Sequence, residues 1–159
     1  MKAPFDMPAA PASFEARGGW LVKRLSADLG LTLTQAAGIV GNLGFESGGF
    51  KSLQEIDPQG GLGGYGWAQW TGPRRRSFER WCAQNGLKPS SDEANYGYLL
   101  VELRGAYRRT VDAVKQTATL DDAVFSVGET YERPGGTTAT HLPGFSDRVH
   151  YAERAFRGA

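Results

Sequence analysis

The stretch Gly41-Asn42-Leu43-Gly44-Phe45-Glu46-Ser47-Gly48-Gly49-Phe50, residues 41–50, decides the fold of this chain. Apolar residues precede Glu46 at helical spacing, at Leu43, Ile39 and Ala36. This period predicts an amphipathic helix with one buried face. Glu46 continues that face at the last turn, and a serine and two glycines then end the helix. We therefore expect the Glu46 carboxyl to project from the buried side of a helix end.

A carboxyl group in that position is expected to hold its proton more firmly than an exposed one. Apolar walls disfavour the charged form, and the negative end of the helix dipole acts in the same direction. A carboxylic acid that stays protonated near neutrality is suited to general acid catalysis, as in the cleavage of glycosidic bonds. The alternative is a glutamate that simply faces water at the end of a helix.

Length and composition narrow the classes of function. The 159 residues fit one domain with its own core, and the formal net charge of +1 argues against binding to nucleic acid or an acidic membrane surface. The single cysteine, Cys82, lies beside Trp81 and is expected to be a small buried hydrophobe. We find no signal-peptide pattern and no apolar run of transmembrane length, so we expect a protein made in the cytoplasm without a membrane segment.

The order of the elements predicts a mainly α domain with a small antiparallel β insert. Residues 1–12 are rich in proline and alanine and are expected to form a flexible arm, followed by one domain over residues 13–159. Thr32 and Gln35 form a capping box that starts the helix leading to Glu46. Short alternating pieces with Pro58 and paired glycines after that helix predict the hairpin. Later helices are marked by a capping box at Ser90 and Glu93, and by apolar positions at Val149, Ala152 and Phe156.

The motifs of the chain resemble those of the lysozyme superfamily, and most closely its phage tail-lysozyme and endolysin-like muramidases. The resemblance rests on Gly41 to Ser47, on Gly64-Tyr65-Gly66-Trp67-Ala68-Gln69-Trp70-Thr71-Gly72, on Arg74 to Arg76, and on Tyr131-Glu132-Arg133-Pro134-Gly135. It covers roughly Phe14 to Tyr151. It implies a two-lobed α+β fold and cleavage of the β-1,4 bond between N-acetylmuramic acid and N-acetylglucosamine in peptidoglycan, with Glu46 as general acid.

A second carboxylate is expected if the enzyme follows the two-acid pattern of glycosidases. Glu55 and Asp57 share one face if residues 52–56 are extended, so both acids could point into a cleft. We predict that Glu55 assists Glu46, whereas Asp57, next to Pro58, suits a turn. Glu132 is a further candidate, either near the substrate or in an ion pair with Arg133.

Candidate substrate contacts follow the predicted hairpin. They are Tyr65, Trp67, Gln69, Trp70 and Thr71, together with Glu132. Aromatic rings stack on sugars, and an amide can both donate to and accept from an N-acetyl group. The alternatives are that at least one tryptophan belongs to the core and that Thr71 caps the next helix.

We therefore expect a monomeric peptidoglycan muramidase that needs neither metal nor cofactor, since His141 and His150 lack the spacing of metal ligands. An endolysin that waits in the host cytoplasm until lysis fits this prediction better than a component of the phage tail does. Two alternatives remain open at this point. One is a lytic transglycosylase, which would leave a 1,6-anhydro end, and the other is a catalytically inactive wall-binding tail protein.

Overall fold

Helices dominate the computed structural model, which describes residues 4–54 and 63–159. The described helices, in chain order, are α1 (Phe14–Leu29), α2 (Leu33–Glu46), α3 (Gly72–Asn85), α4 (Asp92–Arg104), α5 (Arg108–Val114), α6 (Leu120–Val127), a π-helical turn (Gly128–Glu132) and α7 (Phe145–Gly158). The mainly helical class predicted from the sequence is confirmed. Among the described residues, none of the helices combines the length and the apolarity needed to cross a membrane.

Helix α2 is the centre of the structure, and it packs against α1, α6 and α7. It begins at the predicted capping box, in which the Gln35 amide N–H donates to Thr32 Oγ1 at 3.1 Å and the Thr32 N–H donates to Gln35 Oε1 at 3.0 Å. Its apolar face, with Ile39, Val40 and Leu43, is at most 1% exposed. Burial in α2 is wider than the single face that the sequence predicted, because every residue from Gln35 to Gly44 is buried where α1, α6 and α7 surround the helix.

Small residues let the helices around α2 approach very closely. A Cβ atom built on Gly38 would lie 2.7 Å from the Ala123 Cβ of α6, and one built on Gly41 would lie 2.6 Å from the Ala152 Cβ of α7. Gly18 meets Ala155 in the same way, at 3.0 Å. Such contacts are shorter than carbon atoms tolerate, so the glycines set the distances between the helix axes.

Substitution of Gly41 by alanine is expected to destabilise the fold by about 1–3 kcal/mol, the usual effect of overpacking. The new methyl group would also lie 2.6 Å from the backbone oxygen of Arg148, which cannot rotate away. Chemical denaturation measures the loss. Gly135→Ala is the matched control, because a Cβ there meets nothing within 4 Å. Equal stability of the Gly41→Ala and Gly135→Ala variants would contradict the close packing of α2 and α7.

The predicted antiparallel β insert is not formed as a sheet in the described residues. The chain makes two isolated antiparallel bridges there, between Gln54 and Tyr65 and between Tyr65 and Trp70. The second closes a tight turn, with the Trp70 N–H donating to the Tyr65 oxygen at 2.8 Å. Glycine at position 66 and Gln69 adopt positive φ angles of 86° and 54° within it. A turn, rather than a continuing strand, therefore carries the residues predicted to contact substrate.

The N-terminal segment also differs from the flexible arm predicted for residues 1–12. Phe5 packs edge-on against the Trp20 ring with centroids 4.9 Å apart, and Met7 is only 8% exposed. Arg17 Nε donates to the Pro8 oxygen at 3.1 Å. The composition of the segment suggested a loose arm, but Phe5 packs on α1, Met7 is buried and Pro8 accepts from Arg17, whereas residues 9–11 are exposed.

Two details of the helices differ from the sequence prediction, and a third confirms it. Helix α4 begins one residue later than the predicted capping box, with Ser91 accepting from the Ala94 N–H at 3.1 Å. The buried face of α7 consists of Arg148, Ala152 and Ala155, so the predicted Val149 and Phe156 lie beside it rather than on it. The third detail agrees with the sequence, since Cys82 is 1% exposed in the core and burial raises the pKa of its thiol.

Candidate active site

The Glu46 carboxyl lies at the last residue of α2 and faces a guanidinium group rather than purely apolar walls. Arg148 Nη2 donates to Glu46 Oε1 at 2.9 Å. The Arg148 side chain is 1% exposed, whereas that of Glu46 is 21% exposed. The pair therefore has a buried cation and a carboxylate that still reaches solvent, which is where a ligand can meet it.

Arg148 is held by groups from several parts of the chain. Its Nη1 donates to Asn42 Oδ1 at 3.0 Å and its Nε donates to the Pro143 oxygen at 3.0 Å. Its guanidinium carbon also lies 4.3 Å from the centroid of the Phe45 ring. A buried arginine is tolerable when its donors are used in this way. The guanidinium group of Arg148 is consequently fixed, and it fixes the position of the Glu46 carboxyl.

Asn42 joins the site to the neighbouring helix. Its side chain is fully buried, and its Nδ2 donates to the Gly38 oxygen at 2.9 Å and to the Val124 oxygen at 3.0 Å. With Oδ1 accepting from Arg148, both ends of the amide have partners. Asn42 therefore ties α2 to α6 and α7 one helical turn before Glu46.

The turn after Glu46 is built from Ser47 and glycine. Ser47 is fully buried, its hydroxyl donates to the Leu43 oxygen at 2.7 Å, and it accepts from the Phe50 N–H at 2.9 Å. Glycines 48 and 49 have φ angles of 59° and 72°, in the region that glycine adopts without strain. The Glu-Ser-Gly-Gly sequence thus reverses the chain immediately beyond the carboxyl group.

Glu132 is the second acid of the site. It ends the π-helical turn and is half-buried, and its enclosed Oε1 accepts no hydrogen bond from any residue in the described ranges. The pKa of Glu132 is raised well above its ordinary value of 4.5, mainly by burial and secondly by the negative charge of Glu46. The ion pair with Arg133 that the sequence left open is not among the bridges of the described residues. Glu132 is therefore the described carboxyl best suited to stay protonated at neutral pH.

A buried network holds the π-helical turn from the opposite side. Glu102 is 4% exposed, and its oxygens accept from Arg74 Nη2 at 2.8 Å and Arg74 Nε at 2.9 Å. The same carboxylate accepts from Trp70 Nε1 at 2.9 Å and from the Tyr131 hydroxyl at 2.5 Å. The network therefore fixes Tyr131, the residue immediately before Glu132.

The two predicted aromatic contacts Trp67 and Trp70 lie in the core. Each is 1% exposed. The Trp67 ring packs 5.1 Å from Phe50, and the Trp70 ring packs 4.5 Å from Phe78. Their burial does not fit stacking on sugar rings and instead matches the core alternative. The reason is the turn at residues 65–70, which removes the strand alternation that the prediction assumed.

The remaining predicted contacts are more accessible. Tyr65 is half-buried, with Arg75 5.2 Å from its ring centroid, and burial raises the pKa of its hydroxyl. Gln69 uses its amide nitrogen on the backbone oxygens of Leu53 and Gly66, at 2.8 and 2.9 Å, so it braces the turn. Thr71 is exposed at the N-cap position of α3 without a side-chain capping bond, so its hydroxyl can still reach a ligand.

Two predicted acids cannot be placed beside Glu46. Glu55 and Asp57 both lie outside the described residues, so the role of Glu55 stays a prediction. Within residues 4–54 and 63–159, no group of three or more histidine, cysteine, aspartate or glutamate side chains is arranged to hold a metal ion. Of the predicted site residues, Glu46 and Glu132 lie close enough for the charge of Glu46 to raise the pKa of Glu132.

Arg148 is the main site residue that the sequence reasoning missed. One signal could have revealed it, because Arg148, Ala152 and Ala155 recur at helical spacing and form the buried face of α7. An arginine on such a face needs a buried anion or carbonyl groups to pair with. The pattern does not say which acid of the chain is the partner.

Two cavities formed by described residues lie elsewhere. One of about 420 Å³ is lined by Phe45, Asp147, His150, Tyr151 and Arg154, and a second adjoins it at Asp147. Glu46 and Glu132 are not among the described residues that line either cavity. The groups that can carry chemistry, the two acids and the buried arginine, therefore lie outside these two cavities.

Comparison with protein families agrees with the family resemblance that the sequence motifs indicated. The family model described as phage tail lysozyme matches residues 21–157, which is most of the chain. The matched segment contains α2, the π-helical turn and Arg148. No curated protein matches the chain.

Proposed function

Because the chain belongs to the phage tail lysozyme family, we propose that it is a muramidase. It cleaves the β-1,4 bond between N-acetylmuramic acid and N-acetylglucosamine in the glycan strands of peptidoglycan. Family membership supports a lysozyme-like, peptidoglycan-degrading activity. The bond, the reaction type and the residues that perform it are our proposal.

The position of Glu46 is the observation that carries the proposal. Its carboxyl stands at the end of α2, is 21% exposed, and is oriented by the buried guanidinium of Arg148 at 2.9 Å. A fixed carboxyl at the border of core and solvent can protonate the oxygen of a bound glycosidic bond as that bond breaks. Glu46 is therefore assigned the role of general acid. Glu55 is retained as the candidate for the ionised second carboxylate.

The reaction type is tested on purified peptidoglycan, by mass spectrometry of the ends that the protein creates. A muramidase leaves a reducing N-acetylmuramic acid end, which borohydride converts to the alcohol. A lytic transglycosylase leaves a 1,6-anhydro end, which is lighter by one water and resists borohydride. We expect the reducing end in the wild-type digest and no new ends with Glu46→Gln. Anhydro ends would replace the muramidase by a transglycosylase that acts on the same bond.

If the folded wild-type protein creates no new ends, the result would favour the other alternative, a catalytically inactive wall-binding tail protein. The presence of Glu46, with its carboxyl oriented by Arg148, favours an active enzyme over that alternative. We further propose that the protein acts as a monomer. It would be held in the host cytoplasm and reach the wall during lysis, as an endolysin does.

A further inference from the structure

Helix α2 and the segment formed by α6 and the π-helical turn run side by side in the same direction. Gly38 of α2 meets Ala123, because a Cβ built on Gly38 would lie 2.7 Å from the Ala123 Cβ. One turn later, Asn42 Nδ2 donates to the Val124 oxygen at 3.0 Å. A Cβ built on Gly128 would in turn lie 3.1 Å from Asn42 Oδ1. Residues later in α2 therefore contact residues later in α6 and the π-helical turn, so the two segments are parallel.

This register brings the two acids to the same end of the pair. Glu46 is the last residue of α2, one turn beyond Asn42, and Glu132 is the last residue of the π-helical turn, one turn beyond Gly128. Single π-helical turns are frequent at functional sites. Here the turn carries Glu132 to the level of Glu46.

The two carboxyl groups have different surroundings. Glu46 accepts from Arg148 at 2.9 Å and retains contact with solvent. Glu132 Oε1 is enclosed and has no donor among the described residues. The charged groups that act on Glu132 are Glu46 from α2, Arg148 from α7, Arg74 from α3 and Glu102 from α4. Arg74 is paired with Glu102 at 2.8 Å, so it offers Glu132 little compensation.

We propose that Glu132 is a positioning residue that holds the proton shared by the Glu46–Glu132 pair. Glu132 is neutral in the free protein, while Glu46 is the carboxylate that faces Arg148. When a glycan covers the site, the O–H bond of Glu132 breaks and one forms on Glu46. Glu132 becomes the carboxylate, and the charge of the pair stays at minus one. Glu46 then gives this proton to the glycosidic oxygen.

The pairing follows from elementary electrostatics. Two carboxylates in one poorly solvated site do not both ionise near neutral pH, and the proton stays on the acid with the poorer partners. Burial of Glu132 acts in the same direction. The site can therefore hold a proton on Glu132 although Arg148 Nη2 donates to Glu46 Oε1 at 2.9 Å. The transfer of the proton from Glu46 to the glycosidic oxygen rests on the proposed function, whereas the location of the proton on Glu132 does not.

The location of the proton is tested by ¹³C NMR of the glutamate side-chain carboxyl carbons during a pH titration. We expect one carbon to titrate well above the ordinary value of 4.5. That signal should be absent from Glu132→Gln, and it should remain, with a lower midpoint, in Glu46→Gln, because one like charge is gone. Glu129→Gln, which removes a charge from the same π-helical turn, should leave it unchanged. If every glutamate carbon titrates near 4.5, or if the high signal disappears only in Glu46→Gln, the proposal is overturned.

The coupling to Glu46 is tested by the pH dependence of peptidoglycan cleavage. In Glu132→Gln, we expect the alkaline half-point of the rate to fall by about one pH unit or more, because the proton held on Glu132 is then no longer available to Glu46. Glu129→Gln should keep the wild-type half-point. A purely structural Glu132 would lower the amount of folded enzyme without moving the half-point, and that result would overturn the proposal. Failure of the proposed function would be visible separately, as an inactive wild type with an intact NMR titration.

Thermal unfolding gives a readout that needs no substrate. An acid whose pKa is raised on folding binds more protons in the folded state, so its contribution to stability is complete at low pH and is lost as the pH rises through the folded pKa. The melting temperature of the wild type should therefore fall, relative to that of Glu132→Gln, as the pH rises above about 4.5. Parallel curves for the two proteins would contradict a proton held on Glu132.

Discussion

Glu46→Gln is expected to abolish the clearing of cell-wall suspensions and to leave the fold intact. Glutamine is nearly isosteric with glutamate, and its amide oxygen can still accept from Arg148 Nη2, which lies 2.9 Å from Glu46 Oε1. The amide cannot supply an acidic proton. Removal of a general acid lowers the rate by a factor of about 10²–10⁴.

The matched control is Glu153→Gln, the same chemical change at an exposed position of α7, where the carboxylate lies 4.0 Å from Arg157. It should clear suspensions at the wild-type rate. Circular dichroism and thermal unfolding establish that both variants are folded. Wild-type clearing by a folded Glu46→Gln protein would remove Glu46 from the role of general acid.

Arg148→Met is expected to have the second largest effect, through the fold as well as the activity. Methionine occupies much of the volume of arginine but supplies no donor to Asn42 Oδ1, Glu46 Oε1 or the Pro143 oxygen. Breaking a buried charge pair from one side costs about 3–5 kcal/mol. We expect about 3 kcal/mol, the lower end of that range, since the remaining carboxylate of Glu46 is partly solvated. Denaturation measures this loss, and the rate should fall because Glu46 is no longer oriented.

A double-mutant cycle separates the ion pair from the other contacts of Arg148. If the charge of Glu46 matters, Arg148→Met should destabilise the Glu46→Gln background less than the wild type, because a neutral amide needs no counter-ion. The same loss of stability in both backgrounds would show that the Asn42 and Pro143 contacts account for the whole effect.

Local patterns in the sequence predicted the helices well, for identifiable reasons. The Thr32–Gln35 capping box is formed, and the apolar period of α2 lies in the core, because both signals act within a few residues of chain. The prediction failed where several turn residues follow one another. Gln69, at a φ of 54°, directs its amide to backbone oxygens, and the tryptophans on either side of it enter the core.

The site itself was only partly accessible to sequence reasoning. The position of Glu46 at a helix end follows from the local period and from the glycines behind it. Its partner Arg148 lies 102 residues further along the chain, and local spacing carries no information about such a pair. The approach of Glu132 to Glu46 depends on the register between α2 and α6, which the contacts of Gly38 and Asn42 set.

The bond between Glu46 and Arg148 has a consequence for the order in which the protein is made. A ribosome completes α2 long before it reaches residue 148, since the two partners are separated by 102 positions. During that interval, a nascent chain presents the carboxyl without the guanidinium that orients it. The arginine and the face of α7 that packs against α2 are made together, so the Glu46–Arg148 pair forms when α7 docks on α2. The contact that orients Glu46 therefore forms only after α7 has been made.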